Sequence, residues 1–362
     1  MDFNTVSKEK LSKLLFLEIN SHKFLEMLGG DADKLSIKEL YIPLNPKYIS
    51  KDIEKGYKLE TLPMYYLIEG MLLALGGDKN LRFNNDYKKI LPLIKDTLPC
   101  GKKLVSEKVK NDNLVEALMI LIGLCTIYKT EEIYSKLFLI SETLREKNNS
   151  YNEVQLNLTE QCKEDLPKIA LPYLYTALSY NDLGQYDKAY ININEYMSRG
   201  GEKTEEVRVL YEEIKDSMDY EKGKEELLEE PEVALKRLLP LADKFPDNSI
   251  VRYYIATCYR RLDNYEKAIY YLNECMSIDN NMVETVNELG INYACLGDYE
   301  NAIKYFRKAF EATRDIEVCT NLIMCYVHAE NIEEAKKHLK IAKELNNNDE
   351  IVKQIDNYIN NL

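Results

Sequence analysis

Small residues recur in this chain at an interval that sets its architecture. Ala268, Ala302 and Ala335 stand 34 and 33 residues apart, inside "YRRLDNYEKAIYYLNE", "YACLGDYENAIKYFRK" and "YVHAENIEEAKKHLKI". Stepping back 34 residues from Ala268 reaches Ala234, and Ala189 in "YNDLGQYDKAYININEY" lies 45 before that, one interval plus 11 residues. Each of the three stretches carries a Tyr, a turn-forming Asp, Gly or Glu, an apolar residue, two further residues, the Ala, and an apolar residue four on. The apolar spacing is helical. A unit of two short helices cannot bury its apolar face alone, so neighbouring units must stack. The recurring Ala sits where two antiparallel helices cross at close range. A larger side chain there would cost about 1–3 kcal/mol by overpacking.

The residues around these alanines resemble the tetratricopeptide repeat (TPR) family. In the unit starting at Val283, the residues Leu289, Gly290, Tyr293, Gly297, Tyr299, Ala302, Phe306 and Ala309 follow the family pattern. The unit from Ser249 offers Ala256, Tyr259, Tyr265, Ala268 and Leu272. The unit from Ala170 offers Tyr173, Ala177, Tyr180, Gly184, Tyr186 and Ala189, and the last, from Ile316, offers Leu322, Tyr326, Ala335, Leu339 and Ala342. None has the family's Trp, so tyrosine or aliphatic groups must fill that place. Five co-registered units cover residues 170–350. The resemblance implies an all-α fold: a superhelical array of TPR helical hairpins with a less regular helical N-terminal region.

The expected organisation is a helical N-terminal region at 1–115 and a degenerate repeat with a connecting helix at 116–169. A TPR array at 170–348, with an insertion near 202–214, and a C-terminal capping helix at 349–362 follow. Val207, Leu210, Ile214, Met218 and Leu227 predict one long helix or two near-continuous ones, with Pro231 at a helix start. Ile351, Ile355, Tyr358 and Ile359 predict the apolar stripe of the capping helix. "LGGD" at Leu28–Asp31 and at Leu75–Asp78, and "RGGEK" at Arg199, each end an apolar run and read as helix C-caps. Pro43, Pro46, Pro63, Pro92 and Pro99 punctuate the N-terminal region.

The formal net charge is −13, and residues 1–200 contribute only −1 of it. Duplex nucleic-acid binding wants a basic footprint, so nucleic acid is not an expected partner. The acidity of the second half reads as solvated helix faces. The N-terminus lacks a signal-peptide layout, and Met64–Leu75 is too short to span a bilayer. The eight cysteines form no C-x-x-C pair and read as reduced, buried thiols, so the expected location is cytoplasmic. Heavy use of Asn, Lys, Ile and Tyr without Trp fits an AT-rich, bacterial source. There is no phosphate-binding glycine loop, and "CGKK" at Cys100 lacks the earlier glycine. His22, His328 and His338 have no metal-ligand spacing, and no histidine lies within ten residues of Cys258, Cys275 or Cys295. No catalytic residue, metal or cofactor is expected.

The resemblance implies that the first helix of each hairpin lines a concave groove. Its inward positions are Tyr253, Thr257 and Arg260, then Asn287, Glu288 and Ile291, then Thr320, Asn321 and Met324. Side-chain amides can pair with an extended backbone through donor and acceptor together. The family's carboxylate clamp uses Lys, Asn and Arg at such positions, whereas Tyr253, Glu288 and Glu317 stand here. The expected function is therefore a non-catalytic interaction scaffold or adaptor, with a protein or peptide partner of unknown identity. The alternative is a peptide-responsive regulator, because "YISKDIEKGYKLETL" at Tyr48–Leu62 has a helix-turn-helix-like look. Against it, residues 1–60 hold ten lysines, no arginine and ten acidic groups, and base reading favours Arg.

Overall fold

The computed structural model describes residues 2–29, 39–49 and 62–361. The chain divides into two units, Met1–Ile214 and Lys215–Leu362. The helix-turn-helix-like stretch at Tyr48–Leu62 lies, over 50–61, outside the described residues.

The first unit opens with α1 (Phe3–Ser12), whose first turn is capped by the Asp2 carboxylate. Strand β1 (Leu15–Asn20), helix α2 (Ser21–Met27), strand β2 (Glu39–Leu44) and the short α3 (Pro46–Ile49) follow. β1 and β2 pair antiparallel, from Leu15 opposite Leu44 to Asn20 opposite Glu39. This strand pair is the irregular part of an otherwise helical region before residue 115. "LFLEIN" and "ELYIPL" are six-residue apolar runs, too short for periodicity to separate strand from buried helix. Tertiary contacts decide: the Tyr87 hydroxyl donates to the Tyr41 carbonyl, and Gly70 lets a helix backbone approach the Pro43 carbonyl.

That helix is α4 (Met64–Gly77). After it come α5 (Asn84–Ile90), a 3-10 turn (Leu91–Leu93), α6 (Thr97–Lys110), α7 (Leu114–Cys125), α8 (Glu131–Lys147), α9 (Tyr151–Asp165), α10 (Leu171–Asp182) and α11 (Tyr186–Ser198). Every residue of α4 from Tyr66 on, and of α7 from Ala117 on, is buried. The two helices pack together through glycine. A Cβ on Gly76 would fall on the Met119 carbonyl, and one on Gly123 would sit 2.5 Å from the Leu72 oxygen. The "LGGD" at Leu75–Asp78 is thus no glycine C-cap: Gly76 and Gly77 are helical, and Gly76 permits close helix approach. Gly29 (φ +71°) and Gly200 (φ +83°) do take the left-handed conformation beyond α2 and α11, as C-cap glycines must.

Residues 205–226 form one continuous helix, α12 (Glu205–Glu226), and Pro231 is the first residue of α13 (Pro231–Lys244). The second unit continues with α14 (Ser249–Arg261), α15 (Tyr265–Ile278), α16 (Val283–Cys295), α17 (Tyr299–Thr313), α18 (Ile316–His328), α19 (Ile332–Leu345) and α20 (Glu350–Asn360). α14/α15, α16/α17 and α18/α19 are antiparallel hairpins, and each packs on the next. Ala256, Ala268, Ala302 and Ala335 are buried, and a Cβ on Gly290 would meet the Phe306 ring at 2.8 Å. Ile323 takes the place of Gly290 in the last hairpin and is wholly buried, so the small-residue rule relaxes at the end of the array. Tyr259 stacks on Tyr271 and Tyr293 on Tyr305, the same two positions one repeat apart, with ring centroids 5.6 and 5.5 Å apart.

In α20 the buried stripe is Val352, Ile355 and Ile359, whereas Ile351 is 53% and Tyr358 47% exposed. The stripe is rotated by about one residue from the expected one, because Asp349 caps the helix and fixes its phase against α19.

The turn after each first helix uses one residue at positive φ: Gly184 (+68°), Asp263 (+56°), Gly297 (+78°) and Glu330 (+58°). A β-carbon is disfavoured there by about 1–2 kcal/mol, though Asp tolerates it better than Glu. Glu330→Gly is therefore expected to stabilise the protein by about 0.5–1 kcal/mol, after the greater unfolded-state freedom of glycine is subtracted. Asp263→Gly should gain less, since Asp263 also accepts a hydrogen bond from Tyr265 at 2.7 Å. Paired urea midpoints would check the order, and equal or reversed shifts would contradict it.

Candidate functional site

The nine sequence-derived positions lie on α14, α16 and α18, the first helices of three successive hairpins. These helices touch one another, α14 on α16 and α16 on α18. The nine side chains do not form one open surface. Thr257, Glu288 and Thr320 are buried, and the other six are half-buried. The Thr257 hydroxyl donates to the Tyr253 carbonyl at 3.0 Å, and Thr320 donates to the Glu317 carbonyl at 2.8 Å. Both threonines therefore use their donors within their own helices.

Arg260 and Glu288 form an ion pair between α14 and α16, with Nε 2.7 Å from Oε2 and a longer second contact at 3.4 Å. Burial pushes the Glu288 carboxyl above its ordinary value, and Arg260 offsets only part of that. Tyr253 stands beside this pair, and burial pushes its hydroxyl up to about 12. The guanidinium read as a partner contact is thus already engaged by a neighbour 28 residues on. Asn287 has a side-chain oxygen that is buried and accepts no hydrogen bond.

Ile291, Asn321 and Met324 do converge. They line a cavity of about 430 Å3 together with Ala294, Cys295, Tyr299, Phe306, Cys325 and His328. The His328 ring stacks on Tyr299, centroids 4.9 Å apart and planes 12° apart, which fixes one wall. Tyr299 and Phe306 belong to α17, a second helix, and are not among the expected positions. In the sequence His328 has no metal-ligand spacing and reads as a solvated or packed histidine. The signal for Tyr299 and Phe306 is faint in the sequence, since family positions of the second helix read as packing alone. Among the described residues no group of three His, Cys, Asp or Glu side chains is arranged to hold a metal ion. No helix among them is long and apolar enough to cross a membrane.

Residues 251–282 and 283–316 match the tetratricopeptide repeat family model. Among solved structures, a MamA structure (AMB-1) is 20% identical, covering 40% of this chain and 87% of its own, with a TM-score of 0.36. TTC0263, a thermophilic TPR protein in Thermus thermophilus, is 17% identical over 53% of this chain and 100% of its own, with a TM-score of 0.33. YrrB, a TPR protein with an unusual peptide-binding site, is 15% identical over 63% and 93%, with a TM-score of 0.29. No curated protein matches the chain. Residues 251–316 are therefore two tetratricopeptide repeats, set among stacked hairpins of the same register.

Proposed function

We propose that the protein is a non-catalytic interaction scaffold whose first-helix face in the second unit takes a peptide or helical segment of a protein partner. The observation that carries this reading is the cavity shared by α16, α17 and α18, whose apolar lining of Ile291, Phe306 and Met324 meets the Asn321 amide. Apolar pockets with a few fixed polar groups are the usual form of a binding site. In this reading one apolar partner side chain fills the cavity. The Asn321 amide meets the partner backbone. Arg260 and Glu288 serve as a fixed pair that sets the spacing of α14 and α16, and Tyr253, Thr257 and Thr320 support the wall. We take residues 170–348 as the binding array, 1–115 and 116–169 as regions of separate role, and 349–362 as its cap.

The test is selection of peptides from a random library on the full chain, followed by affinity measurement with Ile291→Asp/Met324→Asp. Selected peptides are expected to share an apolar anchor and to lose at least about tenfold in affinity on the double variant, as central anchor contacts do. Retained affinity in a variant with an unchanged melting curve would place binding elsewhere.

A further inference from the structure

The first unit holds a cavity of its own, of about 370 Å3, which the repeat-based reading leaves unused. This lies within the range of small-molecule sites. One side is apolar: Leu11 and Leu14 at the end of α1, Leu73 of α4 and Met119 of α7. The other is polar: Lys10, Lys13, Asn45 and Glu116.

The hydrogen-bonding capacity of the polar side decides what fits. Glu116 has both oxygens occupied, Oε1 by the Lys10 ammonium at 2.9 Å and Oε2 by Lys108. Burial alone would raise its carboxyl, but Lys108 and Lys10 outweigh burial and hold it below its usual range. It is ionised, and each of its oxygens already accepts a charged donor. Lys10 uses one of its three donors on Glu116. Lys13 pairs with Glu9 at 2.7 Å, yet both side chains are more than half exposed, and such pairs exchange readily. The Asn45 oxygen accepts from the Lys47 backbone N–H at 3.2 Å, which leaves its NH2 group as a donor. The cavity therefore offers donors on one side and hydrocarbon on the other.

We propose that this cavity binds a small amphipathic anion: a carboxylate on a compact apolar body. The head would sit on Lys10, Lys13 and Asn45, and the body against Leu11, Leu14, Leu73 and Met119. A singly charged head fits better than a phosphate, because the Glu116 carboxylate shares the cavity and repels a second negative charge. The site rests on neither the repeats nor their groove.

The test uses the full chain with methyl-labelled methionine, the Met119 signal being assigned by its loss in Met119→Leu. Octanoate is the probe, with acetate (charge without body) and 1-octanol (body without charge) as controls. Octanoate is expected to move the Met119 methyl to saturation, and each control to bind at least about tenfold more weakly. Lys13→Met, which removes only an exposed ion pair, should weaken octanoate by about tenfold with an unchanged melting curve. Asn45→Ala should weaken it as well. Equal binding of octanol and octanoate would reduce the site to an apolar hole. Failure of octanoate to saturate the signal, or unchanged affinity in both variants, would overturn the proposal.

Discussion

Gly76→Ala is expected to cost the first unit more than about 3 kcal/mol, at or beyond the upper end of overpacking effects. One methyl group is enough because the obstruction is backbone. The added carbon would fall on the Met119 carbonyl, and α7 could yield only by moving as a whole. α7 cannot move freely, since Gly123 holds it equally close to Leu72 of α4. The adjacent Gly77 is an internal control. A methyl there meets the Met119 Cε at 2.6 Å and the Leu11 Cδ1 at 2.8 Å, both ends of flexible side chains. Gly77→Ala should cost much less, about 1 kcal/mol. Native-state hydrogen exchange of the α4 and α7 amides is the suitable measure, because a chain of two units need not unfold in two states. Equal loss of protection in both variants would mean that α4 and α7 are not held by this backbone contact.

Lys108→Met is expected to destabilise the first unit by about 3–5 kcal/mol, the cost of breaking a buried ion pair from one side. Lys108 is 6% exposed, lies 2.7 Å from the wholly buried Glu69, and also bonds Glu116. Without it Glu69 is left with the half-exposed Lys47 at 3.3 Å and the Tyr48 hydroxyl. The double variant Lys108→Met/Glu69→Leu should recover part of the loss, as apolar replacement of a buried pair commonly does. The signs of the pH dependence follow from the same groups. The Glu116 carboxyl lies below its usual 4.5 in the fold, so its contribution is present above 4.5 and is lost as pH falls through the folded value. Burial opposes the Lys108 charge, but Glu69 and Glu116 outweigh it and raise its value above 10.5. Its contribution is therefore present below 10.5 and lost only as pH rises through the folded value. Wild-type stability should fall on both flanks of that window. A variant as stable as wild type near neutrality would show that the charges are solvated, contrary to their burial.

The repeats were legible because their information is local and periodic. Ala268, Ala302 and Ala335 each mark a helix crossing, so one register read three hairpins at once. The first unit offers no such signal. α4 and α7 are buried on all sides, so no polar stripe gives their phase, and Gly76 reads as a terminus when only its distant neighbour Met119 explains it. The candidate cavity was legible only in part. First-helix spacing led to Ile291, Asn321 and Met324, which share a cavity. It could not foresee that Arg260 would be taken up by Glu288, since two expected inward positions engage one another only once the hairpins are stacked. Nor could it reach Tyr299 and His328, whose stacking joins a second helix to the end of the next first helix.

The stacked tyrosines have an optical consequence. The chain has 28 tyrosines and no tryptophan, so its near-ultraviolet absorption and emission come almost wholly from phenol rings. Tyr259 on Tyr271 and Tyr293 on Tyr305 place such rings close enough for excitation to pass between them, and His328 caps Tyr299 in the cavity wall. A single indole placed at Tyr299 would be the chain's sole long-wavelength emitter, collecting light absorbed along the tyrosine ladder. Its emission colour would follow the polarity of the cavity beside α17 and α18, so such a variant would report on that cavity without an attached dye.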